Sequence, residues 1–273
     1  MNVHSSGQPS SPAAGAIDSG EWDARVKLAA CYRMVARLGM DDLIYNHISA
    51  RVPEHEDRFL INPYGLLFDE INASTLVKIN TQGDKLDDTP HSVNVAAFVI
   101  HAAIHTSHHD AACVLDTHSD ASVAVSGQEN GLLPLSQFAM RFYNRQAFHD
   151  YEGVAIDLDE QARLVRDLGA HKVVLMRNHG ILTVGRTPGE AFMLLYYFRA
   201  RRAHPAADAG GGRRRRRVGD APARDLREGR VAILGIAGRY RRSRRARMAG
   251  ADAPARPHRS VLPQLILTSM PGV

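Results

Sequence analysis

Hydrophobic positions recur along the chain at two spacings, helical and alternating, and the switches between them predict a regular succession of helices and strands. Leu28, Cys31, Val35 and Leu38 share one helical stripe that stops at Gly39. Asp18 and Glu21 supply an acidic variant of a capping box at its start. Short strands are expected near 48–52, 58–61 and 76–80, parted by Pro, Asn and Gly turns. Thr89-Pro90 reads as the N-cap and first position of a helix over 90–107, with Val93, Ala97, Ile100 and Ile104 as its buried stripe. A strand at 112–115 leads to a short helix at 120–126. Beyond it, strands near 154–157, 173–176 and 181–184 alternate with helices at 160–168 and 188–198. Without any internal repeat, the pattern describes one α/β domain.

Two histidines close apolar runs of this kind: His118 in Val114-Leu115-Asp116-Thr117-His118-Ser119, and His179 in Val174-Leu175-Met176-Arg177-Asn178-His179-Gly180. Each run reads as a buried strand, so both imidazoles arrive at strand ends, where open α/β sheets place their chemistry. Asp116 lies two residues before His118 and shares its side of an alternating strand. The three together make a candidate metal site of two histidines and one carboxylate. The competing readings are structural. Either histidine can be a buried ring bonded to a backbone carbonyl, and Asp116 can cap the 120–126 helix, a role open equally to Thr117 and Ser119.

Other polar residues are ambiguous in the same way. His101 and His105 lie four apart on the predicted 90–107 helix, as helical zinc pairs do, but Ala102 stands where a metalloprotease needs its Glu. With His108 and His109 following, the pair reads as a polar helix face running into a loop, with His101 near enough to support a metal pocket. Asn62-Pro63-Tyr64-Gly65 has the composition of a β-turn with Pro second and Gly fourth. His149 can be a distal site residue or a loop residue.

The motifs Tyr45-Asn46-His47-Ile48-Ser49-Ala50-Arg51, Ile61-Asn62-Pro63-Tyr64-Gly65, Ile100-His101-Ala102-Ala103-Ile104-His105, Asp116-Thr117-His118-Ser119 and Arg177-Asn178-His179-Gly180 occur in an order that resembles the class II aldolase/adducin family. The likeness runs from about Trp22 to Phe198. It implies a three-layer αβα sandwich with a mixed, largely antiparallel central sheet. In the family's enzymes a divalent metal, usually zinc, sits on a His-x-His pair and a third His in an Asn-His-Gly turn, and polarises a carbonyl so that a neighbouring carbon–carbon bond can break. His118 and His179 match two of those ligands, and Asp116 stands at the first. A carboxylate there keeps a ligand but weakens the metal as a Lewis acid. Asn46 and Gly65 match positions that contact substrate oxygens, although turn chemistry alone also explains Gly65.

Two departures concern the chemistry. The family's acid/base Glu falls on Ala97, and its phosphate-binding serines fall on Val95 and Ala96. A missing proton carrier removes a contribution of roughly 10²–10⁴ in rate. Sugar-phosphate cleavage is therefore not the expected activity, and the chain looks closer to the adducin-like branch. Two function classes follow. One is a metal-dependent, lyase-like enzyme acting on a small oxygenated carbonyl substrate, with Asp116, His118 and His179 on the metal and His101 as the candidate catalytic residue. The other is a non-catalytic, adducin-like interaction module. The resemblance also implies a homo-oligomer, typically a tetramer.

Composition sets the outer limits. The chain has 273 residues, of which 44% are hydrophobic, enough for one substantial core. No stretch approaches the ~18 apolar residues of a membrane span, and the first twenty residues lack the features of a secretory signal. Cys31 and Cys113 sit in apolar runs, as buried thiols of a reducing compartment do, so a cytoplasmic location is expected. The net charge of +5 hides a division: residues 1–198 hold 15 basic and 24 acidic residues, residues 199–273 hold 19 and 5. All 19 are Arg, with Arg213 to Arg217 in a row. Such a tail adheres to phosphates without specificity, and beyond Tyr240 it has no aromatic interleaving that would indicate specific nucleic-acid binding. The expected organisation is a disordered segment at 1–18, the family-like domain at 19–200 and the Arg-rich tail at 201–273. The tail is either disordered or translated from a shifted reading frame of a GC-rich gene. Residues 231–236 are a candidate short strand within it.

Overall fold

A computed structural model describes residues 17–155 and 157–199 of the chain. Helix α1 (Ser19–Arg37) starts where Asp18 accepts the Glu21 backbone N–H at 2.7 Å. The capping box is half used, because the Glu21 carboxylate turns to Arg25 and Lys78, each at 2.8 Å. Leu28, Cys31 and Val35 are fully buried, and the chain leaves the helix through Gly39 at φ +60°.

Strands β1 (His47–Arg51), β2 (Arg58–Ile61), β3 (Val77–Asn80), β4 (Cys113–Thr117), β5 (Ala147–His149), β6 (Val173–Met176) and β7 (Gly180–Gly185) form one sheet in the order β3-β2-β1-β4-β7-β6-β5. Neighbours are antiparallel except β5 and β6. Helices α2 (Val95–Ser107) and α4 (Asp159–Leu168) cover one face; α1, α3 (Asp120–Ser126) and α5 (Pro188–Arg199) cover the other. This is the sandwich with a mixed, largely antiparallel sheet that the family resemblance implies. Alternation along the central strands feeds both layers: Leu115 and Ile181 pack toward α1 and α5, Val114 and Leu182 toward α2 and α4. Each such side chain, fully buried, contributes about 1.5–3 kcal/mol.

Three local expectations fail. Helix α2 begins at Val95, not at Pro90, because Asn94 caps it by accepting the Ala96 N–H at 3.0 Å. Ahead of that cap, the Thr89 and His91 carbonyls accept from Lys85 and the Ser92 carbonyl from the Tyr64 N–H, so the segment is held outside the helix. The strand expected near 154–157 is absent among the described residues. Gly153, at φ +100°, bends the chain there, and the edge beside β6 is taken by Ala147–His149. The tight turn after β2 is centred on Tyr64 and Gly65, one residue later than its composition suggests, with Gly65 at φ +94°. The Arg-rich tail and residues 231–236 lie outside the described residues.

Candidate metal centre

The site is built where β4 ends and β1 and β7 begin. Asp116 sits within β4, paired with His47 of β1 on one side and Leu182 of β7 on the other. It does not cap α3: Ser119 does, accepting the Ser122 N–H at 3.4 Å. His118 follows directly after β4. His179 closes the three-residue connection between β6 and β7, where Asn178 adopts φ +56° and the His179 N–H bonds the Met176 carbonyl at 3.0 Å. Gly180 then lets β7 press against the end of β4. A Cβ on it would collide with the Thr117 carbonyl oxygen and lie 3.3 Å from the His118 ring.

Asp116, His118 and His179 each turn a ligand-type atom into the same space, all within 4.8 Å of one another. The Nε2 atoms of the two histidines stand 2.7 Å apart. His118 Nδ1 faces the Asp42 carboxylate at 3.3 Å, which leaves its Nε2 directed at His179. Asp116 is fully buried, and neither carboxylate oxygen has a hydrogen-bond partner among the described residues. Its Oδ2 is 3.5 Å from His47 Nδ1 and 3.8 Å from His179 Nε2.

These surroundings set the charges. Burial pushes the Asp116 carboxyl up to about 6, with His118 opposing. Burial also lowers His118, but the hydrogen bond to Asp42 and the charges of Asp116 and Asp42 outweigh it and raise the ring above its ordinary value. Burial, and then His118 beside it, take His179 down to about 3. Of the two rings, His118 is thus the more basic. A buried carboxylate without a hydrogen bond is costly. A divalent cation in this space would give the Asp116 carboxylate the bonded partner it lacks, and two imidazoles with one carboxylate form a donor set of zinc and other first-row divalent metals.

Asn46 is buried, with Oδ1 accepting the Asp42 N–H at 2.6 Å and Nδ2 unpartnered among the described residues. Gly65 lies in the turn after β2, with open space where a side chain would stand. His101 is fully buried with both ring nitrogens engaged, Nε2 to His47 at 3.1 Å and Nδ1 to Ser49 at 2.5 Å. It approaches Asp116 only through His47. His149 is buried too, between Asp167 at 2.8 Å and Glu160 at 3.4 Å, in a small recess that His179 also lines.

Sequence reasoning passed over Asp42, and placed His47 and Ser49 only within a motif shared with the family. The alternation His47-Ile48-Ser49-Ala50 was the available signal, since it puts two polar side chains on one face of a short strand. Here that face is covered by α2, so both are buried.

Residues 26–201 match the family described as Class II Aldolase and Adducin N-terminal domain. A crystal structure of an aldolase II superfamily protein from Pseudomonas syringae is 49% identical, with a TM-score of 0.65, over 67% of this chain and 74% of that one. Alpha-adducin of Rattus norvegicus is 44% identical over 184 residues, covering 66% of this chain but 25% of the adducin. L-fuculose 1-phosphate aldolase from Glaciozyma antarctica is 26% identical, with a TM-score of 0.62, over 75% of this chain and 80% of that one. No described helix is long and apolar enough to cross a membrane.

Proposed function

The chain belongs to the class II aldolase/adducin family, and on that premise we propose that it is a metal-dependent, carbonyl-activating enzyme of the lyase type. Asp116, His118 and His179 hold the divalent cation, zinc foremost, while Asn46 and Gly65 help to place a small oxygenated carbonyl substrate. The observation that carries this reading is the buried, unbonded Asp116 carboxylate facing two convergent imidazoles. Bound there, the metal supplies Lewis acidity toward a carbonyl oxygen. Asp42 fixes the His118 ring so that Nε2 points inward. Asp116 adds a full negative charge to the site and so tempers that acidity.

The chain supplies no carboxylate at Ala97, whose methyl packs among Phe59, Ile61, Val77, Ile79 and Ala102. Both ring nitrogens of His101 are engaged, so proton transfer falls not to that candidate but to water or to a residue of a neighbouring subunit in the homo-oligomer that family membership suggests. The expected chemistry is slow activation of the carbon beside a carbonyl, in the cytoplasm, by the domain at 19–200. The Arg-rich stretch is an addition outside it, and the family match ends at residue 201.

The test is deuterium exchange into dihydroxyacetone, followed by proton NMR in D₂O with the zinc-loaded full chain. Exchange faster than with the His118→Ala variant supports the enzyme. Equal rates leave the scaffold reading, which the 44% identity to alpha-adducin and the loss of the acid/base position favour.

A further inference from the structure

Beneath the three candidate ligands lies a second buried constellation that metal binding does not use. His47 and Ser49 of β1 project toward α2, where His101 and His105 lie one turn apart. Four contacts join them in a row. His47 Nδ1 meets His101 Nε2 at 3.1 Å, and His101 Nδ1 meets Ser49 Oγ at 2.5 Å. Ser49 Oγ meets His105 Nε2 at 2.7 Å, and His105 Nδ1 meets the Ala111 carbonyl oxygen at 3.1 Å. All four side chains are buried, and Phe59 stacks on the His105 ring at 4.7 Å.

The last contact settles every proton in the row. A carbonyl only accepts, so His105 Nδ1 must carry hydrogen. Deep burial keeps His101 and His105 neutral, so His105 Nε2 accepts, and the Ser49 hydroxyl donates to it. The Ser49 oxygen is then free to accept from His101 Nδ1–H, which leaves His101 Nε2 to accept from His47 Nδ1–H. At the far end His47 Nδ1 is 3.5 Å from Asp116 Oδ2, without a hydrogen bond between them, and a protonated Nδ1 has the right polarity to face a carboxylate. Run the other way, the row would set a lone pair of His105 against the carbonyl and a lone pair of His47 against Asp116. Both ends select one direction.

We infer that His47, Ser49, His101 and His105 are a positioning relay, anchored on the Ala111 carbonyl, that locks His47 as its Nδ1–H tautomer behind Asp116 and so orients that carboxylate toward the site. His101 and Ser49 act through His47 and touch no substrate. The part concerning Asp116 as a ligand rests on the reading proposed above; the tautomers do not.

Long-range proton–nitrogen NMR of the full chain with ¹⁵N-labelled histidine reads the tautomers directly, and His47→Asn, His101→Gln and His105→Gln variants assign the three rings. The expected result is Nδ1–H in all three, before and after zinc is added. An Nε2–H tautomer or an imidazolium at any of them overturns the relay. Zinc titration of Ser49→Ala and Ser49→Thr tests its effect: affinity falls roughly tenfold to a hundredfold in the first and returns in the second, which keeps the hydroxyl. Unchanged affinity in folded Ser49→Ala removes the link to Asp116. If the three tautomers are as assigned and wild type takes up no zinc, the relay stands and the metal reading fails instead.

Discussion

The Nε2 atoms of His118 and His179 face each other at 2.7 Å although the residues are 61 apart in sequence. Two strand ends and a hairpin are needed to bring them there, and the buried Asp116 completes the group. Metal bound by the folded state alone stabilises it, by about 2.7 kcal/mol when the free metal is a hundredfold above its dissociation constant. Zinc is therefore expected to raise the unfolding temperature of the full chain, and His118→Ala to abolish that increment. Calorimetry with and without zinc checks it; an equal increment in the variant counts against the site.

Gly180 holds the end of β7 against β4 at a distance only a glycine permits. In Gly180→Ala the new methyl meets the Thr117 carbonyl, a backbone atom that cannot turn aside. The expected cost is about 1–3 kcal/mol of stability, as for other overpacked positions, with weakened zinc binding because His179 moves with the strand. Urea unfolding and zinc titration measure the two effects separately.

At Ala97 the family's proton carrier cannot simply be put back. The methyl lies in a cluster of Phe59, Ile61, Val77 and Ile79, so Ala97→Glu would bury a carboxyl group among apolar side chains. We expect a loss of roughly 2 kcal/mol or more, from desolvation and crowding together. A variant as stable as wild type in urea would show that this part of α2 faces open space.

His149 gives the fold a pH dependence of its own. Burial alone would lower its titration, but the hydrogen bonds and charges of Glu160 and Asp167 outweigh burial and raise it above the ordinary value. The folded protein therefore holds this proton more tightly than the unfolded chain. The added stability is fully present below about pH 6.5, the unfolded value, and is lost as pH rises through the raised folded value. Subtracting the unfolding profile of His149→Gln from that of wild type should show an advantage that shrinks above pH 6.5. An advantage that grows with pH contradicts the assignment.

What the sequence disclosed followed local signals. The bounds of α3 were legible although its cap stayed open among Asp116, Thr117 and Ser119, and β6 and β7 are apolar runs on either side of one turn. The grouping of Asp116, His118 and His179 followed from strand alternation and strand ends. The start of α2 was hidden because two capping signals, Thr89-Pro90 and Asn94, compete within a few residues, and only contacts from Lys85 and Tyr64 decide between them. Strand β5 has three residues and owes its place to pairing with β6, which no local pattern encodes. The burial of His47, Ser49 and His149 was equally hidden: polar alternation reads as a solvent face until a helix is known to cover it.

The account rests on one cation held by two imidazoles and a buried carboxylate. Metal analysis of the purified full chain after zinc loading and desalting, set beside His179→Ala, tests this most directly. We predict about one zinc ion per wild-type chain and little in the variant. Zinc-free wild type, or equal zinc in both proteins, would contradict it.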